Sequence, residues 1–127
     1  MSLISAAQNL TASWADLGSE IDMTKYRRCM VWLNIDINDS QNVRLRAVGK
    51  LAKNATLEYV FPIKVVTSSK VNVQDEFTEF TDDADQSVLV EILTNGLVPI
   101  VQLQVEAGTA GATPGQIDNA DITYSNL

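Results

Sequence analysis

The chain predicts an all-β fold, an antiparallel β-sandwich of about eight strands wound as a jelly roll. Three features predict it. Apolar and polar residues alternate with a period of two in block after block, the pattern of strands with one dry face. Clusters of Asn, Asp, Ser and Gly separate the blocks and turn the chain. No stretch sustains a helical period long enough for a confident helix. The 127 residues fit a single domain, 1–127, in which folding removes about two thirds of the unfolded surface from water. A two-layer sandwich hides one face of so many short strands.

The elements follow in order. After a polar N-terminal segment, residues 10–17 read as a short first strand or extended segment that ends at Gly18, with Trp14 and Leu17 available for packing; residues 19–25 read as a connection. Residues 26–38 are the clearest strand: Cys29, Val31, Leu33, Ile35 and Ile37 fall on one side, and Arg28, Met30, Trp32, Asn34, Asp36 and Asn38 on the other. The turn cluster at 38–42 leads to a second strand, 43–51, expected to hairpin with the first. A third alternating block, 57–66, contains Pro62, which cannot donate a ladder hydrogen bond and therefore places this strand at an edge or at a bulge.

Residues 71–80 alternate less cleanly, as a bulge or bend near Asp75 would cause. Beyond an acidic loop with Asp82, Asp83 and Asp85, residues 87–93 are apolar on both sides and read as a strand buried on both faces. Asn95-Gly96 supplies a turn that tolerates positive φ. Residues 98–107 alternate, with Val101, Leu103 and Val105 opposed to Gln102, Gln104 and Glu106; the small, polar run 108–115 reads as an exposed loop, and Ala120, Ile122 and Tyr124 mark a closing strand. No repeat of about 20 to 50 residues suggests a solenoid or propeller.

Composition narrows the function. With 9 basic and 16 acidic residues the formal charge is −7, which repels polyanions and makes nucleic acid a poor partner. No apolar run approaches the roughly 20 residues of a membrane helix, and the first residues lack the basic start and apolar core of a secretory signal; the chain is expected in the cytoplasm where it is made, outside any membrane. The three glycosylation-type triplets at Asn9, Asn38 and Asn54 carry no weight in that setting. Cys29 is the one cysteine; it cannot form an intrachain disulfide, and its apolar series makes it a small core residue.

The chain has no histidine, which removes Ser-His-Asp and Cys-His arrangements and histidine-based metal sites. Asp36 with Asp39, or Asp82, Asp83 and Asp85, offer oxygen ligands for calcium, yet neither spacing has the Gly and distal Glu of an EF-hand loop, so both read as solvated turns. Glu58, Glu76, Glu79, Glu91 and Glu106 offer carboxylate pairs in number, and number alone does not make a glycosidase site. The Gly-rich run lacks the Lys-Ser/Thr ending of a phosphate loop. Neither catalysis nor a cofactor is expected. Arg44 and Arg46 share one side of their strand and are expected to meet acidic neighbours. Met30 and Trp32 are too apolar for a plain solvent face and suit a subunit or partner contact.

Residues 11–22, Thr-Ala-Ser-Trp-Ala-Asp-Leu-Gly-Ser-Glu-Ile-Asp, and 107–118, Ala-Gly-Thr-Ala-Gly-Ala-Thr-Pro-Gly-Gln-Ile-Asp, resemble the small jelly-roll structural proteins of tailed bacteriophage virions. The resemblance implies a capsid decoration or tail-associated protein that works as a multimer, a trimer first, binds the major capsid protein or another virion protein, and resides in the virion. It also implies an extended N-terminal arm, for which 1–12 is the segment, with Leu3, Ile4 and Leu10 as its contact residues. The pattern from Trp14 to Asp22 is in addition similar to jelly-roll carbohydrate-binding modules. That alternative implies a module of a phage tail or fibre protein with Trp32, Tyr59 or Trp14 stacking on sugar.

Overall fold

In the computed structural model, which describes residues 1–38, 42–67, 71–73, 77–80, 86–107 and 115–126, antiparallel pairing sorts the strands into two packed sheets. The strands are β1 (Gln8–Asn9), β2 (Ala15–Asp22), β3 (Arg28–Asp36), β4 (Val43–Lys50), β5 (Tyr59–Phe61), β6 (Lys64–Thr67), β7 (Val71–Val73), β8 (Thr78–Phe80), β9 (Gln86–Leu93), β10 (Ile100–Ala107) and β11 (Gln116–Ser125). The first sheet runs β1-β11-β3-β9-β6; the second runs β2-β10-β4-β8-β7, with β5 also paired to β4. Nested pairs, β1 with β11, β2 with β10 and β3 with β9, form as the two arms of one long hairpin would. Winding that hairpin sets β3 beside β11 and β4 beside β10, the course of a jelly roll. The eleven elements exceed the expected eight because the blocks at 57–66 and 71–80 each divide in two and β1 adds a short edge.

The inward series predicted for β3 is the centre of the core. Cys29, Val31, Leu33, Ile35 and Ile37 are buried and join Leu45, Ala47, Val88, Val90, Leu103, Val105, Ile117 and Ala120 in one apolar cluster between the sheets. Burial pushes the Cys29 thiol up to about 12. Tyr26 stacks on Tyr124 at 4.5 Å between ring centroids and extends the cluster at the end of β11.

Several boundaries differ from the sequence expectation. Gly18 does not end a strand; β2 passes through it with φ +67° and continues to Asp22, so residues 19–22 are strand rather than connection. Ile21 faces Val101 and Leu17 faces Leu103, so β2 spends four residues where β10 spends two, a bulge that a left-handed glycine accommodates. Past β2, Asp22 Oδ1 accepts from the Thr24 backbone N–H at 2.9 Å and from its hydroxyl at 2.6 Å, turning the chain toward β3. At Pro62 the chain changes sheet: β5 pairs with β4 and β6 with β9. Both lie at outer positions where the missing N–H costs nothing. β3 and β4 do not pair as a hairpin but lie in opposite sheets. Asn95 and Gly96 both have positive φ, and their turn joins β9 to β10 across the sandwich. The bend expected near Asp75, the acidic loop at 82–85 and the Gly-rich run at 108–114 lie outside the described residues.

Two expectations about burial exchange places. β9 was expected to be dry on both faces, yet Ser87 and Leu93 are exposed and Leu89 and Glu91 half-buried, because no described element covers the outer side of the first sheet there. β10, expected to have a wet face, is buried along Val101–Val105, with Gln102 at 2 % and Gln104 at 7 % exposure. Two contacts account for this: the connection after β4 comes over Gln104, with Asn54 donating its backbone N–H to Glu20 at 2.9 Å and Glu58 accepting from Gln104 at 3.5 Å, while Gln102 donates its amide to the carbonyl oxygens of Leu17, Gly18 and Leu103 at 3.0–3.4 Å.

The N-terminal segment, expected to extend as an arm, lies on the chain's own sandwich. Leu3 N–H donates to Ala120 O, Ile122 N–H to Met1 O, Leu10 N–H to Gly115 O and Ala107 N–H to Thr11 O, all at 2.6–2.8 Å. Leu3 and Leu10 enter the core cluster and Ile4 packs against it. A Cβ at Gly18 would meet the Leu3 carbonyl oxygen, so the segment docks only against glycine. Leu103→Ala, at a fully buried site, is expected to cost about 2–5 kcal/mol in urea unfolding; a loss below about 1 kcal/mol would contradict the core assignment. Gly18→Ala is expected to destabilise and to speed amide exchange at Leu3 and Ile122 ahead of the rest of the molecule. The Cys29 thiol is expected to resist Ellman's reagent in native buffer and to react once urea unfolds the chain.

Candidate functional site

With the inner faces consumed by packing, two outer faces are left for function. On the first sheet, β3 directs Met30 and Trp32 outward, as its alternation predicts. Trp32 is 49 % exposed and sits between Asp121 of β11 and Leu89 of β9. Val66, 47 % exposed, lies in β6 at the irregularity between Val65, which faces Val90, and Thr67, which faces Leu89, so Trp32, Leu89 and Val66 mark an apolar stretch over β3, β9 and β6. The neighbouring row holds Thr123, Met30, Glu91 and Lys64, and Glu91 pairs with Arg28 at 3.4 Å. Met30 is half-buried. Of the five contact residues expected from sequence, this face brings together Met30 and Trp32; Leu3 and Leu10 are inside the chain's own core, and Ile4 lies on the opposite margin against Gly18.

The outer face of the second sheet is polar, aromatic and tightly bonded. Arg44 donates from Nε to Glu79 and from a terminal nitrogen to Glu106, each at 2.9 Å, and these hydrogen bonds raise the guanidinium above its ordinary value. Arg46 donates from Nε to Gln104 Oε1 at 2.8 Å, and Gln104 Nε2 donates to Asp16 Oδ1 at 3.0 Å. Two rings meet this pair of arginines: Arg46 lies 4.3 Å from the Trp14 ring centroid, Arg44 5.4 Å from that of Phe77, and Trp14 and Phe77 are tilted against each other at 6.1 Å. Guanidinium over aromatic faces is favourable electrostatically and screens the apolar rings from water. The register β4 to β10, with Arg46 opposite Gln104 and Arg44 opposite Glu106, creates this network.

Beside it, Lys50 Nζ lies 2.9 Å from Glu20 Oε2 with both side chains largely covered. The hydrogen bond from Lys50, then that from the Asn54 N–H, holds the Glu20 carboxyl below its usual range; the same contact to Glu20 raises Lys50. A recess of about 510 Å³ opens here, lined by Asp16, Ser19, Glu20, Lys50, Lys53 and Asn54 together with Gln102.

The expected meeting of Arg44 and Arg46 with acidic neighbours is observed for Arg44, whereas Arg46 meets Gln104. The glutamates that offered carboxylate pairs are engaged in these contacts: Glu79 and Glu106 by Arg44, Glu91 by Arg28, Glu58 by Gln104; Glu76 lies outside the described residues, as does Asp39. Among the described residues no group of three or more Cys, Asp or Glu side chains is placed to hold a metal. Sequence reading missed Leu89 and Val66 as companions of Trp32, and Phe77 and Gln104 as companions of Trp14. The outward series Arg44, Arg46 and Gln102, Gln104, Glu106 was visible, but the register joining them was not.

Because Glu20 is depressed, its contribution to stability is present above the ordinary glutamate value, about 4.3, and disappears as pH falls through the lower folded value. Glu20→Gln is therefore expected to lower Tm at neutral pH, with the gap to the wild type closing toward pH 2; a gap independent of pH would refute the ion pair's role. Comparisons with protein-family models, with curated proteins and with solved structures found no significant match for this chain.

Proposed function

We propose that the chain is a non-enzymatic structural protein of a tailed-phage virion, a capsid decoration protein that seats on the major shell protein as a multimer, with a trimer as the first expectation. The observation that carries this reading is the apolar stretch Trp32, Leu89 and Val66, with Met30 beside it, on the outer side of the first sheet. Large apolar residues gathered on one exposed face are stable in water when another protein covers them. The resemblance of residues 11–22 and 107–118 to phage virion proteins supplies the setting.

The remaining features agree with such a role. The acidic balance, formal charge −7, keeps separate copies soluble until they reach a surface that offers several contacts at once. Many weak contacts then add up through effective concentration. A small sandwich stabilised by its own core supplies a rigid plate for this purpose.

The test uses the full chain with expanded shells of its phage. Co-sedimentation with shells and a trimeric mass in light scattering are the expected results, and Trp32→Asp is expected to reduce shell binding at least tenfold while leaving the thermal melt of the free protein within a few degrees. A monomer that ignores shells, or shell binding untouched by Trp32→Asp together with Met30→Asp, would overturn the proposal.

A further inference from the structure

We propose that the protein surface covering the first sheet is acidic as well as apolar, and that it brings a carboxylate onto the guanidinium of Arg28, with Lys64 as the second cation. This inference rests on the reading that another virion protein seats on the Trp32 face; it adds the chemistry which that protein must carry.

The first observation is that Arg28 is positioned without being satisfied. It stands in β3 between Leu93 of β9 and Ser125 of β11, with its side chain 33 % exposed. Its terminal nitrogens reach Glu91 only at 3.4 Å and Ser125 Oγ at 3.5 Å, longer than charge-assisted hydrogen bonds usually are, and its Nε is buried with no hydrogen-bond partner. The arginines of β4 differ: Arg44 and Arg46 donate from Nε at 2.9 and 2.8 Å. Arg28 thus holds a planar fork in place with its donors weakly used, the group best shaped to receive a carboxylate in two parallel hydrogen bonds.

The second observation is how charge is sorted along the face. Lys64 faces Glu91 in register yet makes no ion pair among the described residues, so Glu91 stands between two cations. Lys25 and Arg27, both exposed, precede β3 at the same end. Carboxylates lie further along: Asp121 is level with Trp32, and Asp36 faces Gln116. Arg28 and Asp36 are the two ends of the nine-residue strand β3, roughly 26 Å apart at the rise of a strand, whereas the Debye length at physiological salt is about 8 Å. A partner touching the Arg28 half meets a local positive field although the whole chain carries −7.

The third observation selects a protein over a polyanion. Leu93, directly opposite Arg28, is 49 % exposed, and Met30 and Trp32 follow along β3. Phosphate or nucleic acid would use the cations and leave these apolar side chains wet. An acidic residue set among apolar ones uses both, and arginine with tryptophan is the pairing on which covered protein interfaces most often depend.

The full chain is bound to expanded shells of its phage over a salt series, and binding is expected to weaken as NaCl rises from about 0.05 M to about 0.5 M. Arg28→Gln and Lys64→Gln are each expected to weaken it about fivefold or more, and Arg28→Lys to keep part of it. Ala12→Asp, the same change of net charge beside the second sheet, is expected to leave it unchanged. Carbodiimide coupling is expected to join Lys64 to an Asp or Glu of the shell protein. Thermal melts check folding; should Arg28→Gln melt early, Lys64→Gln and the cross-link carry the comparison. Binding lost in Trp32→Asp but intact in Arg28→Gln and Lys64→Gln would overturn this inference and spare the shell reading. If shells do not bind, the shell reading falls and immobilised peptides of alternating Leu and Asp, set against Leu and Lys, decide the chemistry. Retention of the Asp peptides that falls with Arg28→Gln supports it; equal retention, a preference for the Lys peptides, or a dimer of the chain that Lys64→Gln dissociates would overturn it.

Discussion

The apolar contact between the two inner faces is what the molecule is built on. Every long strand contributes alternate residues to it, and Val31 and Leu33 from the first sheet and Leu103 and Val105 from the second belong to the same cluster. Such contact stabilises by about 25 cal/mol for each Å² of apolar surface removed from water. It also sets the register of each strand, because a slip of one residue would turn an entire inward series toward solvent. The outer arrangements, including the alignment of Arg46 with Gln104 and of Trp32 with Leu89, inherit their positions from that inner constraint.

The two outer faces then part in character. In the first sheet no described element lies above the outward side chains of β3 and β9, and Trp32 and Leu93 there stay about half exposed. The second sheet is crossed by the connection after β4 and overlain by Trp14 and Phe77, so its polar groups are drawn into hydrogen bonds and ion pairs with one another. A network of that kind is rigid, since each member is oriented by the next. One face is open and partly apolar; the other is polar and closed over by its own bonds. The two characters stay apart because the sheets turn their outer sides in opposite directions with the core between them.

Much of this was legible in the alternation itself. The inward series of β3 and the outward placement of Trp32 follow from period-two counting, and Pro62 announced an edge. What local pattern could not show was pairing. Gly18 looks like a stop in one dimension, and becomes a bulge once β10 lies alongside and the Leu3 carbonyl comes over it. Leu3 and Leu10 lack periodicity because they belong to irregular chain that docks on a distant strand. Gln102 and Gln104 look like solvent residues until Gln102 is seen to bond the Leu17 and Gly18 carbonyls and Gln104 to meet Glu58 of the segment after β4. The Trp14 cluster joins residues from four separate strands or their flanks, and only the pairing of β10 with β2 and β4, and of β4 with β8, brings those residues together.

Met1 and Ile122, at nearly opposite ends of the chain, are hydrogen-bonded neighbours, as are β1 and β11. This places a demand on assembly in time. The ribosome has made the N-terminal segment, β2 and β3 long before β11 exists, yet β3 needs β11 on one side and the segment needs β11 to rest on. Contacts of such long sequence separation form slowly because a large loop must close first. The sandwich is thus completed by its last strand, and until that strand arrives Leu3, Leu10 and one edge of β3 are without their native cover.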